Sequence, residues 1–227
     1  MKIKDVDIII VTYNRSEFLQ QTLQKLMYQT ITNFNLIVTD DGSKSHHMID
    51  PNKFGIVSRY LWAKDEGYTK VARLNEAMKM CNSPDIIILD DDCVPQSQTF
   101  IENHLHSLEN FPISRGIIQF PSDNFANANA WFSCANIGFK NDVLKEIGYY
   151  DERYNGHYGH EDQDIGLTLR QFGYTKSAPQ QLGTLTYHLG KNYADNDRSW
   201  NIIGHNTELF VSKWGHDPRQ PKPWVDV

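Results

Sequence analysis

The chain has 227 residues, 40% of them hydrophobic, enough to bury one sizeable core, and a formal charge of −6 from 22 basic and 28 acidic side chains. No Lys/Arg cluster reaches the density that a phosphate-backbone footprint needs, so no nucleic acid partner is expected. The first apolar run, Ile8 to Val11, is too short for a secretory h-region, and no run approaches a spanning helix; the expectation is a cytoplasmic protein with no transmembrane segment.

In chain order, Val6 to Thr12 reads as a strand and Ser16 to Gln29 as an amphipathic helix burying Phe18, Leu19, Leu23, Leu26 and Met27. Asn35 to Thr39 reads as a second strand, and a third is expected within Phe54 to Trp62. The spacing then predicts a helix over Thr69 to Met80, with Val71, Leu74, Ala77 and Met78 inward, and a strand over Asp85 to Leu89. Thr99 to Leu108 reads as a helix and Gly116 to Phe120 as a further strand. Strands alternating with helices imply an α/β domain, Rossmann-like, with a mostly parallel central sheet flanked by helices and a binding crevice at the strand carboxyl ends. Cys81, Cys93 and Cys134 are odd in number and lack a CxxC pair, so inert thiols are expected.

The strand ends are polar. The first runs into Thr12-Tyr13-Asn14-Arg15, the second into Asp40-Asp41-Gly42-Ser43, and Ile86-Ile87-Ile88-Leu89 into Asp90-Asp91-Asp92. Three adjacent carboxylates raise one another's pKa unless a cation compensates them, so the triplet reads either as a divalent-metal site for a phosphorylated substrate or as a solvated acidic turn. Asn14, Ser16 and Asp41-Gly42 taken singly also fit helix caps and a turn. There is no GxGxxG and no GxxxxGK[ST], which disfavours the dinucleotide and P-loop folds.

Four segments, Ile8 to Arg15, Val38 to Ser43, Arg73-Leu74-Asn75 and Leu89 to Pro95, resemble in order and content the GT-A fold nucleotide-sugar glycosyltransferases of glycosyltransferase family 2. The similarity continues through Trp131 to Phe139 and Gly148 to Glu152, to about Gly215. It implies a single GT-A domain over residues 1–227, with a nucleotide-binding half (1–120), an acceptor and catalytic half (121–215) and an extended tail (216–227). By resemblance, Thr12, Tyr13, Arg15, Asp40 and Arg73 serve the nucleotide, and Asn136 lies in the segment lining the donor-sugar pocket. By the same resemblance Asp90 and Asp92 form the DxD motif that holds ribose and metal-diphosphate, with Asp92 the direct metal ligand, Asp90 a further one and Asp91 a cofactor-binding candidate.

The resemblance further implies that Asp162, in Gly159-His160-Glu161-Asp162 at a helix start, is the general base, with Glu161 positioning acceptor or donor sugar. Acidic capping of a helix would explain the same residues without catalysis. An ordinary Asp pKa of about 3.9 is sufficient for that base, because proton transfer can come late in the transition state. His188 matches the family's late histidine, and an imidazole beside carboxylates suits Mn²⁺ better than Mg²⁺. The implied activity is inverting transfer of a sugar from a nucleoside diphosphate, UDP by analogy, to a hydroxyl on a glycan, lipid-linked glycan or other acceptor. A sugar nucleotidyltransferase would need a Gly-rich loop after the first strand, which Thr12 to Arg15 lacks, and a non-catalytic sugar-nucleotide or glycan binder would be expected to have lost the DxD or Glu-Asp motif. The segment from Lys191 reads as a lid, with Arg198 a candidate diphosphate contact, or as a helix packed through Trp214; Pro218, Pro221 and Pro223 suggest an extended end.

Overall fold

A strand apolar at nearly every position must be covered on both faces, and β1 (Val6–Thr12) is buried throughout. The computed structural model describes residues 6–120, 132–190 and 203–218. After β1 come α1 (Ser16–Leu26), β2 (Asn35–Asp40), β3 (Arg59–Trp62), α2 (Lys70–Met80), β4 (Asp85–Asp90) and β5 (Cys93–Pro95). The chain continues through α3 (Phe100–Leu108), β6 (Ile113–Arg115), β7 (Ile117–Gln119), β8 (Asn136–Lys140), α4 (Asn141–Ile147), α5 (Glu161–Gln171), β9 (Leu185–His188) and α6 (Ile203–Trp214).

The larger sheet has the order β3-β2-β1-β4-β8-β6, and a smaller one the order β5-β9-β7. Strands β3, β2, β1 and β4 are parallel, while β8 runs antiparallel to both β4 and β6. Side chains alternate between faces along a strand, so Ile9 and Val11 enter one core with Val71, Leu74 and Ile165, whereas Val6, Ile8 and Ile10 enter the other with Leu19, Leu23 and Phe100. The parallel register sets Thr12 opposite Asp40 and Val11 opposite Asp90, which brings three polar strand ends to one edge.

The expected first helix needs correction. Helix α1 stops at Leu26 rather than Gln29, and Met27 is 43% exposed, because Gln29 turns away to donate to the Ser97 carbonyl (2.9 Å). The third strand does lie within Phe54 to Trp62, at Arg59–Trp62, after a short 3-10 turn at Pro51–Lys53. The strand expected over Gly116 to Phe120 is β7 (Ile117–Gln119), which joins the small sheet, whereas β6, just before Gly116, stays in the large one. The Asn136 side chain lies so close to Gly116 that a Cβ there would be 2.3 Å from the amide, so only glycine permits this crossing between sheets. Strands β5 and β8 carry no separate signal in the sequence. All three cysteines are free and buried, as expected of inert thiols. Among the described residues no helix is long and apolar enough to cross a membrane. Trp131, Arg198, Pro221 and Pro223 lie outside the described residues.

Candidate active site

A cleft opens where β1, β2 and β4 end, lined in part by Thr12, Tyr13, Arg15, Asp41, Asp90, Asp91, Asp92, Glu161, Asp162 and His188. Its floor is the aspartate triplet. Thr12 Oγ1 donates to Asp91 Oδ2 at 2.7 Å, and the Arg15 guanidinium pairs with Asp91 Oδ1 at 3.2 Å and with Asp92 Oδ2. Burial alone would lower the Arg15 pKa, but Asp91, Asp92 and Asp90 outweigh it and hold it above its ordinary value. Burial also pushes Asp91 up to about 7, with Arg15 opposing and Asp92 adding to the rise.

Not every expected residue reaches this cleft. The Asp40 carboxylate is spent on its own turn, accepting the Gly42 and Ser43 amides at 3.1 and 2.7 Å and the Tyr60 hydroxyl. Its neighbour Asp41 lines the cleft instead, fixed by the Thr69 amide at 3.0 Å and the Thr69 hydroxyl. Arg73 is not among the lining residues and forms an ion pair with Glu76 at 2.7 Å along α2. Asn136 is a structural clamp, not a pocket residue: its amide donates to the Thr184 carbonyl at 2.8 Å and its oxygen faces His104 Nε2 at 3.0 Å. That network joins β8 to the strand pair of the smaller sheet. Tyr13 faces the cleft with its hydroxyl on Asp65 at 2.8 Å.

The residues expected to hold a metal divide into two places. His188 Nε2 lies 3.5 Å from Asp92 Oδ2, and both sit with Cys93 in a cluster of potential ligand atoms. Burial raises the Cys93 thiol pKa far above its usual range, with the Asp92 and Asp90 carboxylates adding to the rise. Asp92 Oδ1 is buried with no hydrogen-bond partner among the described residues, a costly arrangement that a cation would relieve, and the residues therefore fit a divalent ion. Gly190 completes this corner: a Cβ there would be 2.7 Å from Asp92 Oδ2 and 2.6 Å from His188 Cε1. Asp90 stands apart from that cluster, 3.5 Å from the Lys70 ammonium.

Helix α5 begins at Glu161, placing Glu161, Asp162 and Asp164 in its first turn, where the helix dipole favours negative charge. Glu161 Oε1 is 3.5 Å from Lys70 Nζ. Asp162 Oδ2 accepts the Cys134 amide at 3.0 Å, whereas Oδ1 is buried with no hydrogen-bond partner among the described residues. Burial pushes the Asp162 pKa up to about 7; Lys70 opposes the shift and Glu161 adds to it, so this carboxylate is more basic than the sequence led one to expect.

A family profile described as glycosyl transferase family 2 matches residues 7–160, which span β1 through the approach to Glu161. The chain belongs to glycosyl transferase family 2. Relatives include a chondroitin synthase of Pasteurella multocida (strain Pm70), 26% identical over 72% of this chain and 23% of that protein. A validoxylamine A glucosyltransferase of Streptomyces hygroscopicus subsp. jinggangensis is 23% identical over 74% of this chain and 52% of its own length. The chain thus spans about a quarter to a half of these relatives. Among solved structures, S. aureus TarS 1-349 in complex with UDP-GlcNAc superposes with a TM-score of 0.68 at 12% identity, covering 95% of this chain and 74% of that one. The mannosyltransferase PcManGT from Pyrobaculum calidifontis, in complex with GDP-Man and Mn²⁺, gives 0.65 at 15% identity, covering 96% and 65%. The fold is accordingly the GT-A type shared by these glycosyltransferases.

Within this family 2 cleft, Asp41, Tyr68, Lys70 and Tyr158 are lining residues that sequence reasoning passed over. Lys70 was legible only as the first residue of an amphipathic helix. Its contacts with Asp90 and Glu161 are separated by 20 and 91 positions in sequence respectively, and no local pattern announces them.

Proposed function

We propose that this chain transfers a sugar from a nucleoside diphosphate donor, with uridine as its base, to a hydroxyl group of a glycan or lipid-linked glycan, in an inverting and divalent-cation-dependent displacement. The observation that carries this reading is the unpartnered Asp162 Oδ1 in the same cleft as the Asp92-His188 pair. A base and a cation site thus face one space. Relatives named chondroitin synthase and hyaluronan synthase, and fold neighbours solved with UDP-GlcNAc and with GDP-Man, support a sugar-nucleotide donor.

Charge supports the metal requirement. Among the described lining residues, the carboxylates of Asp41, Asp90, Asp91, Asp92, Glu161 and Asp162 outnumber the cations of Arg15 and Lys70. A diphosphate entering so acidic a cleft would be repelled without further positive charge. Asp92 and His188 would hold Mn²⁺ or Mg²⁺, which when bound supplies Lewis-acid compensation of the charge that develops on the departing diphosphate, while Asp90 lies apart on the Lys70 side. The histidine favours Mn²⁺.

The chain's own residues do the rest. Asp41, locked by Thr69, and Tyr13 form the nucleotide side of the cleft. Arg15 holds Asp91 and Asp92 in place and shares their charge. On the other side, Asp162 is oriented through Oδ2 and accepts the acceptor's hydroxyl proton at Oδ1. The acceptor oxygen bonds to the anomeric carbon on the face opposite the diphosphate, which leaves with the electron pair of the broken C–O bond. Chelation with EDTA should abolish UDP release from UDP-sugars, and added Mn²⁺ or Mg²⁺ should restore it; full turnover in EDTA would refute the role given to the aspartate triplet.

A further inference from the structure

The loop from Asn155 to His160, between the 3-10 turn Glu152–Tyr154 and α5, delivers Tyr158, Glu161 and Asp162 to the cleft. It contains three positive-φ residues, Gly156 at 83°, Gly159 at 94° and His160 at 70°. His160 has a side chain and immediately precedes Glu161, so this conformation must be held from outside. One residue of the last helix is placed to do it. The Asn206 side-chain amide donates to the carbonyls of Gly159 at 2.9 Å, His157 at 3.1 Å and Tyr154 at 3.3 Å, and Asn206 is fully buried. An amide nitrogen has two hydrogens, so three carbonyls share them, and the loop's curl brings all three to one point.

The neighbouring contacts continue the same grip. His160 is held by Thr207, Nε2 to Oγ1 at 3.0 Å, and by Gln163 through Nδ1 at 3.0 Å. At the far end of α6, the Trp214 indole and the Lys213 ammonium donate to Asp164 at 2.7 and 2.8 Å, one half-turn beyond Asp162. The base is therefore bracketed on both sides by α6, an element distant from it in sequence.

We infer that Asn206 is a positioning residue, whose side-chain amide fixes the loop 155–160 and thereby the placement of Glu161 and Asp162. The inference rests on the glycosyltransfer reading only for its catalytic consequence; the clamp itself stands on the hydrogen bonds. Removing the amide leaves three carbonyls without their donor and frees the loop, while Asp41, Asp92 and His188 on other elements keep their places.

The test compares Asn206→Ala with wild type by amide hydrogen exchange, by calorimetric titration of UDP with Mn²⁺, and by UDP release from UDP-N-acetylglucosamine and UDP-glucose. Exchange at residues 156–161 should rise at least ~10-fold while β1 and β4 amides stay protected, as local opening requires. The UDP-Mn²⁺ affinity should stay within about twofold while kcat falls at least ~10-fold, a split that general loss of stability would not produce. Unchanged exchange in the loop, or a uniform rise across the protein with kcat intact, overturns the clamp. If Asn206→Ala does not fold, Thr207→Val removes only the hydroxyl on His160 and should give the same local pattern more weakly; unaltered exchange there overturns it equally. Should wild type release no UDP from either donor, glycosyltransfer with those donors fails, and the exchange data still decide the clamp.

Discussion

Asp162 and Cys134 meet through a single hydrogen bond, 3.0 Å from the Cys134 amide to Oδ2, which orients the carboxylate and leaves the buried Oδ1 with no hydrogen-bond partner among the described residues. A proton acceptor needs this combination of fixed direction and open lone pairs. Asp162→Asn should therefore keep UDP-Mn²⁺ binding within a few-fold and lose roughly 100- to 10,000-fold in kcat, the usual scale of general-base catalysis. Steady-state kinetics beside calorimetry decides it, and a fully active variant would move the base elsewhere.

The same carboxylate sets a pH limit. Because burial pushes the Asp162 pKa up to about 7, it is protonated and inactive as a base at lower pH. The free-enzyme value governs kcat/KM, which should fall about tenfold per pH unit below 7. A limb near 4 would mean that the carboxylate is solvated during turnover.

Linkage gives that shift a second consequence. A carboxylate whose pKa is higher folded than unfolded binds more protons in the native state, so its stabilising effect is lost as pH rises from about 4 to about 7. Asp162→Asn removes this liability and should raise the melting temperature at pH 8 by more than at pH 5. Equal changes at both pH values would count against the raised pKa.

Lys70 lies 3.5 Å from both Asp90 and Glu161 and is their shared counter-charge. Lys70→Met leaves two carboxylates without it, and breaking a buried pair from one side costs about 3–5 kcal/mol. Thermal melts should show a lower transition than wild type at pH 8. A variant as stable as wild type at pH 8 would show the ammonium to be dispensable.

At the cation corner, Gly190→Ala changes no charge yet places a Cβ 2.7 Å from Asp92 Oδ2 and 2.6 Å from His188 Cε1. The protein should fold normally and bind Mn²⁺-UDP at least ~10-fold more weakly. His188→Gln should instead shift the preference from Mn²⁺ toward Mg²⁺, because an oxygen donor replaces the imidazole. Unchanged metal titrations for both variants would remove this corner from the site.

The alternation of strand and helix, the inward faces of α2 and the three polar strand ends could be read directly, because buried strands and amphipathic helices impose periods that a local window captures. The choice between Asp40 and Asp41 could not. Adjacent residues of an extended strand point to opposite sides, and which one meets the cleft depends on how the turn after β2 folds back, with Asp40 capping that turn and Asp41 reaching Thr69. Asn136 likewise sits in a segment that resembles a pocket wall, but its position beside Gly116 commits it to joining two sheets.

Sequence alone determined the α/β class, the family and the presence of a DxD carboxylate triplet, a Glu-Asp pair and a late histidine, since each is a matter of composition and order along a short stretch. Tertiary structure alone decided which of these side chains share a space, that Lys70 bridges Asp90 to Glu161, and that Asn206 reaches back to the loop before Asp162. Those relationships span tens of residues and depend on strand register and helix packing, and hydrogen-bond geometry tolerates only a few tenths of an ångström; no local pattern encodes distances of that kind.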